Sequence, residues 1–405
     1  MAAWCTAARL RLRVARTCIG LALVSVAPPA ANGAEGLPLV VGAVISQSGA
    51  NAAAAAAYRQ GLELWLGEVN AAGGILSRRV ELRLLDDESE AARAAGLYRR
   101  LLQEKADVLI GPYGSAASSA AVAVAERARR VLLNATGAAR AVHKAGYIYV
   151  FQVAAPYSSY GAGALELVRS AGLRSLFIAT RNDTVSQEAA KGLAEAARAA
   201  GLSAGEPEVF PAGSDDFAAL VTKARTANAD AWIAFGQVRD ATEMVKSFTR
   251  LDYAPRLFVA QAAADPAFVK ALGQAAEYAI GIVPYDPAWR TKDNASFAQA
   301  YRKRWSSDPP LAAAQAFAAG RVLEEAVRRA GSVDSQALRA ALAQLETETP
   351  LGPYKVAATL GEQLGAKPAL VQIQRGRPQT IWPASLATAP ASLRYPGWRE
   401  RGPAK

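Results

Sequence analysis

The chain has 405 residues, with 46 Lys and Arg against 35 Asp and Glu, one His and two Cys. Its 52% hydrophobic and 20% charged residues suit one large or two ordinary globular cores and exclude wholesale disorder. The formal charge of +11 raises nucleic acid or an anionic surface as partners, so the placement of the charges decides the matter.

The first segment takes up part of that charge. Residues 1–34 carry Arg9, Arg11, Arg13 and Arg16 and no acid, then an apolar run over 18–27, then Pro28, Pro29 and small residues. A basic start, a short apolar run and a small-residue exit make a secretory signal peptide. The run is too short for a bilayer, which needs roughly 20 apolar residues. Ala31-Asn32-Gly33 places cleavage near 33/34, so 1–33 is expected to be removed. Cys18 opens the apolar run, whereas a lipidated cysteine would follow it. Cys5 and Cys18 both leave with the segment, and the mature chain has no disulfide or thiolate chemistry.

Strands and helices then alternate. Continuous apolar runs predict strands at Leu39–Ile45, Val80–Leu85, Val108–Ile110, Val131–Leu133, Ser175–Ala179, Ala231–Phe235, Leu257–Ala260 and Ala279–Val283. Leu62, Trp65, Leu66 and Val69 lie at helical spacing, and so do Leu323, Ala326, Val327 and Ala330. Gly73-Gly74 should stop the first helix, because glycine takes the left-handed C-cap readily. The order predicts an α/β fold with parallel sheets. Some 250 residues of alternation exceed one open sheet. The pattern breaks at Phe151–Pro156 and at Val283–Pro287, before a helix-rich block over 294–343, and returns to strand-like pieces at Tyr354–Val356 and Ala369–Ile373. From about 384 the chain is rich in Pro and Arg and is expected to be loosely ordered. Five of the eleven net charges lie from Arg375 onward and four in 1–34, leaving two on the body, so nucleic-acid binding is not expected.

Catalytic hardware is sparse. His143 is the sole histidine, no Walker loop occurs, and no metal-ligand spacing stands out. His143 reads as a surface or supporting residue, and Asp86-Asp87-Glu88 as a solvated strand end. No cofactor or metal is expected, and a protein that binds without turnover is.

Several spaced motifs resemble one family. Val41-Gly42-Ala43-Val44-Ile45-Ser46-Gln47-Ser48-Gly49, Glu68-Val69-Asn70-Ala71-Ala72-Gly73-Gly74-Ile75 and Asp107-Val108-Leu109-Ile110-Gly111-Pro112 are similar, in order, to the periplasmic leucine/isoleucine/valine-binding proteins of branched-chain amino acid ABC transporters. Asp215-Asp216-Phe217, Asp230-Ala231-Trp232-Ile233 and Gly352-Pro353-Tyr354 continue the match, which runs from about 38 to 383. The resemblance implies two Rossmann-like lobes with parallel sheets, joined by a three-crossover hinge, with the ligand in the cleft between them. Lobe 1 is then 34–153 with 284–350, lobe 2 is 154–283 with 351–383, and 384–405 is a basic tail.

In open parallel sheets, ligands bind beyond the carboxyl ends of the strands. The loop Gly111–Ser118 leads from a strand into a helix N-terminus, whose free N–H groups and partial positive charge suit a carboxylate or carbonyl. Ser115 matches the family's ligand-binding serine and Gly114 precedes it; the alternative is that Ser115 only caps its own helix. Thr136 matches a backbone-contact position and Ala138 the position of a hydroxyl, with loop capping as the other role of Thr136. Tyr157 either enters the cleft or packs the hinge. In lobe 2 the resemblance points to Asp183, Gln237 and Gln261, but Gln261-Ala262 stand where amino-acid binders hold the carboxylate that meets an ammonium. The usual aromatic after the first strand falls in Ala52–Ala57, and those near Val185 and Gln237 are missing too. The family's disulfide positions are Ser89 and Gly114.

The expectation is a monomeric periplasmic receptor that hands a small organic solute (amino acid, amide, or aromatic or carboxylate compound) to an ABC permease in the inner membrane by lobe closure. A module that senses ligand for a receptor partner, and an exported hydrolase using His143, are the alternatives.

Overall fold

A computed structural model describes residues 36–143 and 146–400. Residues 1–35, where the signal peptide is expected, and 401–405 lie outside the described residues. The chain runs β1 (Leu39–Ile45), α1 (Ala52–Ala71), β2 (Val80–Asp86), α2 (Ala91–Gln103), β3 (Val108–Ile110), α3 (Ser115–Arg127), β4 (Leu132–Asn134) and β5 (Val150–Gln152). It continues with α4 (Ala162–Ser170), β6 (Ser175–Arg181), α5 (Thr184–Ala199), β7 (Ser203–Ala204), β8 (Glu208–Phe210), α6 (Ala218–Thr226), β9 (Ala231–Phe235), α7 (Val238–Arg250), β10 (Leu257–Ala260), α8 (Pro266–Leu272) and β11 (Ile280–Val283). Then follow α9 (Asn294–Trp305), α10 (Leu311–Ala330), α11 (Ser335–Ala343), β12 (Thr347–Thr349), β13 (Gly352–Tyr354), β14 (Ala369–Gln374) and β15 (Arg377–Trp382).

Two sheets result. The first is parallel, in the order β2-β1-β3-β4-β5. The second has the order β15-β14-β11-β10-β9-β6-β7, with β8 also on β6, and its only antiparallel pairs are β11–β14 and β14–β15, so β14 alone is reversed. Phe151-Gln152, read from the sequence as a break, is the edge strand β5 of the first sheet. Both sheets reverse their winding beside their first strand, at β1/β3 and at β6/β9. Such switch points open a crevice at the carboxyl ends of the strands. The chain passes between the sheets three times: after β5, after β11, and between β13 and β14.

The first core is closed from far along the chain. α10 lies on α1 so tightly that a Cβ on Gly61 would meet the Ala313 carbonyl oxygen at 2.1 Å, and one on Gly320 the Trp65 ring at 2.2 Å. Trp65, Tyr58, Phe297 and Phe317 fill this core. Leu351, Tyr354 and Val356 belong to it as well, so the last return to the second sheet comes after Val356 and not at 350. α1 ends at Ala71, as the glycine pair predicts: Gly73 and Gly74 have φ of 91° and 79°.

The tail departs from the loose segment expected. Over 384–400 it lies against the second sheet. The Gln372 side chain donates to the Ser392 carbonyl and accepts from the Ser392 N–H, at 2.9 and 2.8 Å. Tyr395 is buried with its ring 5.5 Å from that of Phe258, and Trp398 Nε1 donates to the Tyr253 carbonyl at 2.7 Å. These contacts outweigh a composition that on its own favours disorder. Among the described residues, no helix is long and apolar enough to cross a membrane.

Candidate functional site

The end of β3 is held from beneath by two buried tyrosines. Tyr98 donates to the Ile110 carbonyl at 2.6 Å and Tyr58 to the Gly111 carbonyl at 2.7 Å. The chain then turns through Gly114, whose φ of 86° favours glycine, and enters α3 at Ser115. No side chain caps α3, so Ser115 does not cap its own helix. The first N–H groups of a helix lack intrahelical partners, and here they stand at the switch point of the first sheet.

Residues 134–139 form the second wall. The Asn134 side chain accepts from the Gly137 N–H at 2.8 Å and donates to the Gly137 carbonyl at 2.7 Å. The Thr136 hydroxyl donates to the Pro112 carbonyl and accepts from the Gly114 N–H, both at 2.9 Å. Thr136 thus stitches the two loops together, and its hydroxyl proton is committed to the protein. The Ala138 carbonyl accepts from the Tyr157 N–H at 3.1 Å. Tyr157 brings its hydroxyl to that of Ser115, and burial raises its pKa against the pull of that contact. Ser115, Gly114, Thr136, Ala138 and Tyr157 are therefore one cluster.

His143 is buried beside this cluster and not on the surface. Its Nε2 lies 3.0 Å from Asn134 Nδ2, from which it accepts, so the proton sits on Nδ1. Nδ1 faces the Leu360 carbonyl without closing a hydrogen bond of ordinary geometry. Burial lowers the imidazole to about 4.

The second sheet offers a different surface. Asp183 is a helix cap: its carboxylate accepts from the Ser186 N–H at 2.9 Å and the Ser186 hydroxyl at 3.0 Å, with Arg181 Nε 3.5 Å away. Gln237 forms a capping box with Asp240 at the start of α7, and its N–H donates to Asp240 Oδ2 at 2.8 Å. Gln261 opens the turn after β10, and its Oε1 is buried without a partner. These lobe-2 residues thus carry structural roles or unmet hydrogen-bonding capacity. Gln237, Gln261 and Asp240 line one recess with Phe210 and Met244.

Asp240 is the residue that sequence reasoning missed. It is 1% exposed, pairs with Arg181 Nη1 at 3.3 Å, and leaves Oδ1 unpartnered. The recess beside Gln261 thus holds a carboxylate, which comes from the helix after β9 and not from the loop after β10. The spacing Gln237-x-x-Asp240 is a capping-box signal that would have found it.

Arg140 joins the two halves. Its N–H donates to Glu188 of α5 and its guanidinium lies 3.4 Å from Glu195. Burial raises the Glu188 carboxyl, opposed by the Arg140 N–H and charge. A groove of about 500 Å³ runs along this contact, lined by Arg140, Ser158, Asn182, Asp183 and Lys191 among others. Asp86 and Asp87 stitch neighbouring loops: Asp87 accepts from the Ser46 hydroxyl and Asp86 from the Ser48 hydroxyl, both at 2.7 Å. Among the described residues no group of three or more potential ligands is placed to hold a metal.

Two α/β halves whose switch points carry polar, incompletely paired groups define a solute-binding architecture. The periplasmic binding protein family model matches residues 38–378, and this chain belongs to that family. An amino acid binding protein of Pseudomonas aeruginosa is 29% identical over 198 residues, which are 47% of this chain and 52% of that protein. The chain thus spans about half the length of this curated relative in the match. A branched-chain amino acid ABC transporter structure from Rhodospirillum rubrum superposes with a TM-score of 0.77 at 20% identity, over 85% of this chain and all of that one. A solute binding protein from R. palustris in complex with benzoate gives 0.61 at 22% identity, over 88% and 99%. At such identities the structural likeness speaks for the fold.

Proposed function

We propose that this chain is the periplasmic receptor of an ABC importer and captures a small carboxylate-bearing solute by closure of its two lobes. The observation that carries the reading is the uncapped N-terminus of α3 with Ser115 beside it, at the switch point where an anion gains most. The opposite recess offers Asp240 Oδ1 and Gln261 Oε1, both acceptors without partners. The solute's far end therefore donates hydrogen bonds, as the hydroxyl of a hydroxy acid or the nitrogen of an amide or amino acid does. The Arg181 charge beside Asp240 reduces its pull on a full ammonium and favours neutral donors. Ligand bridging both halves shifts the population toward closure and presents a surface to the permease.

The sole histidine is committed to a buried hydrogen bond, which supports binding without turnover. The protein works as a monomer, because both halves of the site come from one chain. Residues 1–33 direct it to the periplasm and are removed. Thermal shift followed by calorimetry, with leucine, isoleucine, benzoate and 4-hydroxybenzoate, tests the proposal. Binding of 4-hydroxybenzoate or an amino acid, weakened by Ser115→Ala, is expected. No response from any member of the panel overturns the carboxylate reading.

A further inference from the structure

The hydrogen bonds beneath the 134–139 loop do not stop there. Gln152, 1% exposed at the end of β5, donates through Nε2 to the same Gly137 carbonyl that Asn134 holds, at 3.4 Å. Its Oε1 accepts from the Gln363 N–H at 3.2 Å, and its backbone N–H donates to the Gly361 carbonyl at 2.8 Å. Gln363, 3% exposed, donates through Nε2 to the Val153 carbonyl at 3.2 Å, while its Oε1 accepts from the Gly365 N–H at 2.8 Å and the Lys355 N–H at 3.2 Å. The Val153 N–H in turn donates to the Asn134 carbonyl at 2.9 Å. The backbones approach closely: a Cβ on Gly361 would meet the Val150 carbonyl oxygen at 2.0 Å. Residues 152–153 begin the first passage between the sheets, and 361–365 lie on the third.

We propose that Asn134, Gln152 and Gln363, with His143 packed against Asn134, are positioning residues that lock the candidate ligand loop to the first and third passages, so that the three segments loosen or tighten as one unit. A solute engaging 136–139 then stiffens the hinge directly. Each member sits where only a polar residue with two-way hydrogen bonding serves, and none has a place in a purely apolar core. Buried groups of this kind are costly when left unpaired, so loss of one link weakens the next. The inference goes beyond the solute reading and does not depend on which solute binds.

Hydrogen exchange read by mass spectrometry on the full ligand-free chain tests it. In the wild type under rising urea, amides of 134–139, 150–153 and 360–365 are expected to reach one common opening free energy before the rest of either sheet opens. Gln152→Met keeps the volume and removes both links. It should raise exchange in 134–139 and 360–365 together, on the order of tenfold. Gln363→Met should raise exchange in 134–139 although its side chain bonds to no residue there. Separate opening of the segments in the wild type overturns the proposal, as does an unchanged 134–139 in Gln363→Met. Should Gln152→Met not fold, the wild-type measurement and Gln363→Met decide. The solute panel can fail while this coupling holds, and the reverse, so the two readings are judged apart.

Discussion

Lowering the pH should charge a single buried imidazole in an otherwise histidine-free chain. His143 is 3% exposed, and burial lowers it from 6.5 to about 4. Its Nε2 accepts from Asn134 Nδ2 at 3.0 Å, and a proton there would set donor against donor. Turning the amide over would rescue that contact only by breaking the pair of bonds to Gly137. The folded pKa lies below the unfolded one, so the unfolded chain takes up the proton first as the pH falls. The stability is fully present above about 6.5 and is lost between there and about 4. A gap of roughly 2.5 pH units, at about 1.4 kcal/mol each, makes the loss about 3 kcal/mol. Glu68, Glu188 and Glu348, raised by burial, act with the opposite sign, losing stability as the pH rises above the ordinary glutamate range. Urea unfolding of the wild type and His143→Gln from pH 7.5 to 4.5 separates the two, because the glutamates cancel in the difference. The difference curve should slope by most of that amount. Proton NMR gives a second reading, since one histidine yields one Cε1 resonance to follow. Titration between 6 and 7, or a flat difference curve, refutes the burial argument.

Ser115→Ala should weaken a bound carboxylate by about tenfold, the worth of one hydrogen bond, and lower stability by about 1 kcal/mol, because the Tyr157 hydroxyl and the Ala139 N–H lose their Ser115 partner; calorimetry and urea unfolding check both. Gly320→Ala should lower stability by about 1–3 kcal/mol in urea unfolding, since the new methyl runs into the Trp65 ring and the strain exceeds the roughly 1 kcal/mol gained in helix propensity. Ending the chain at Pro390 removes Tyr395 from the Phe258 ring and strips the Gln372 side chain of its Ser392 partners. A loss of about 3 kcal/mol or more is expected in urea unfolding, which would be absent if the tail were only loosely attached.

Local patterns spoke clearly where the chemistry is local. Continuous apolar runs located β1, β3, β9 and β10, whose faces are both covered, and the strand-to-helix step at Gly111–Ser118 is visible in eight consecutive residues. The short strand β5 was read as a break because three residues of edge strand carry no periodicity. Asp240 escaped notice because its importance lies in Arg181, 59 residues away, and in an oxygen left unpaired. His143 took the supporting one of its two expected roles, whereas the tail was misplaced, because a proline-rich segment is buried here by partners more than 100 residues off. Composition reports the solvent preference of a segment, whereas burial depends on what the rest of the chain places over it.

The interlocking of the two halves bears on the order in which they become stable. α1 is sealed by α10 some 250 residues later, and the second sheet receives β14, β15 and the Tyr395 strap only from the last tenth of the chain. An elongating polypeptide therefore has no complete core to offer until its far end arrives. Contacts so distant in sequence slow folding. A chain severed at either of the first two passages would yield pieces that each expose half an interior, and neither would hold a native sheet alone.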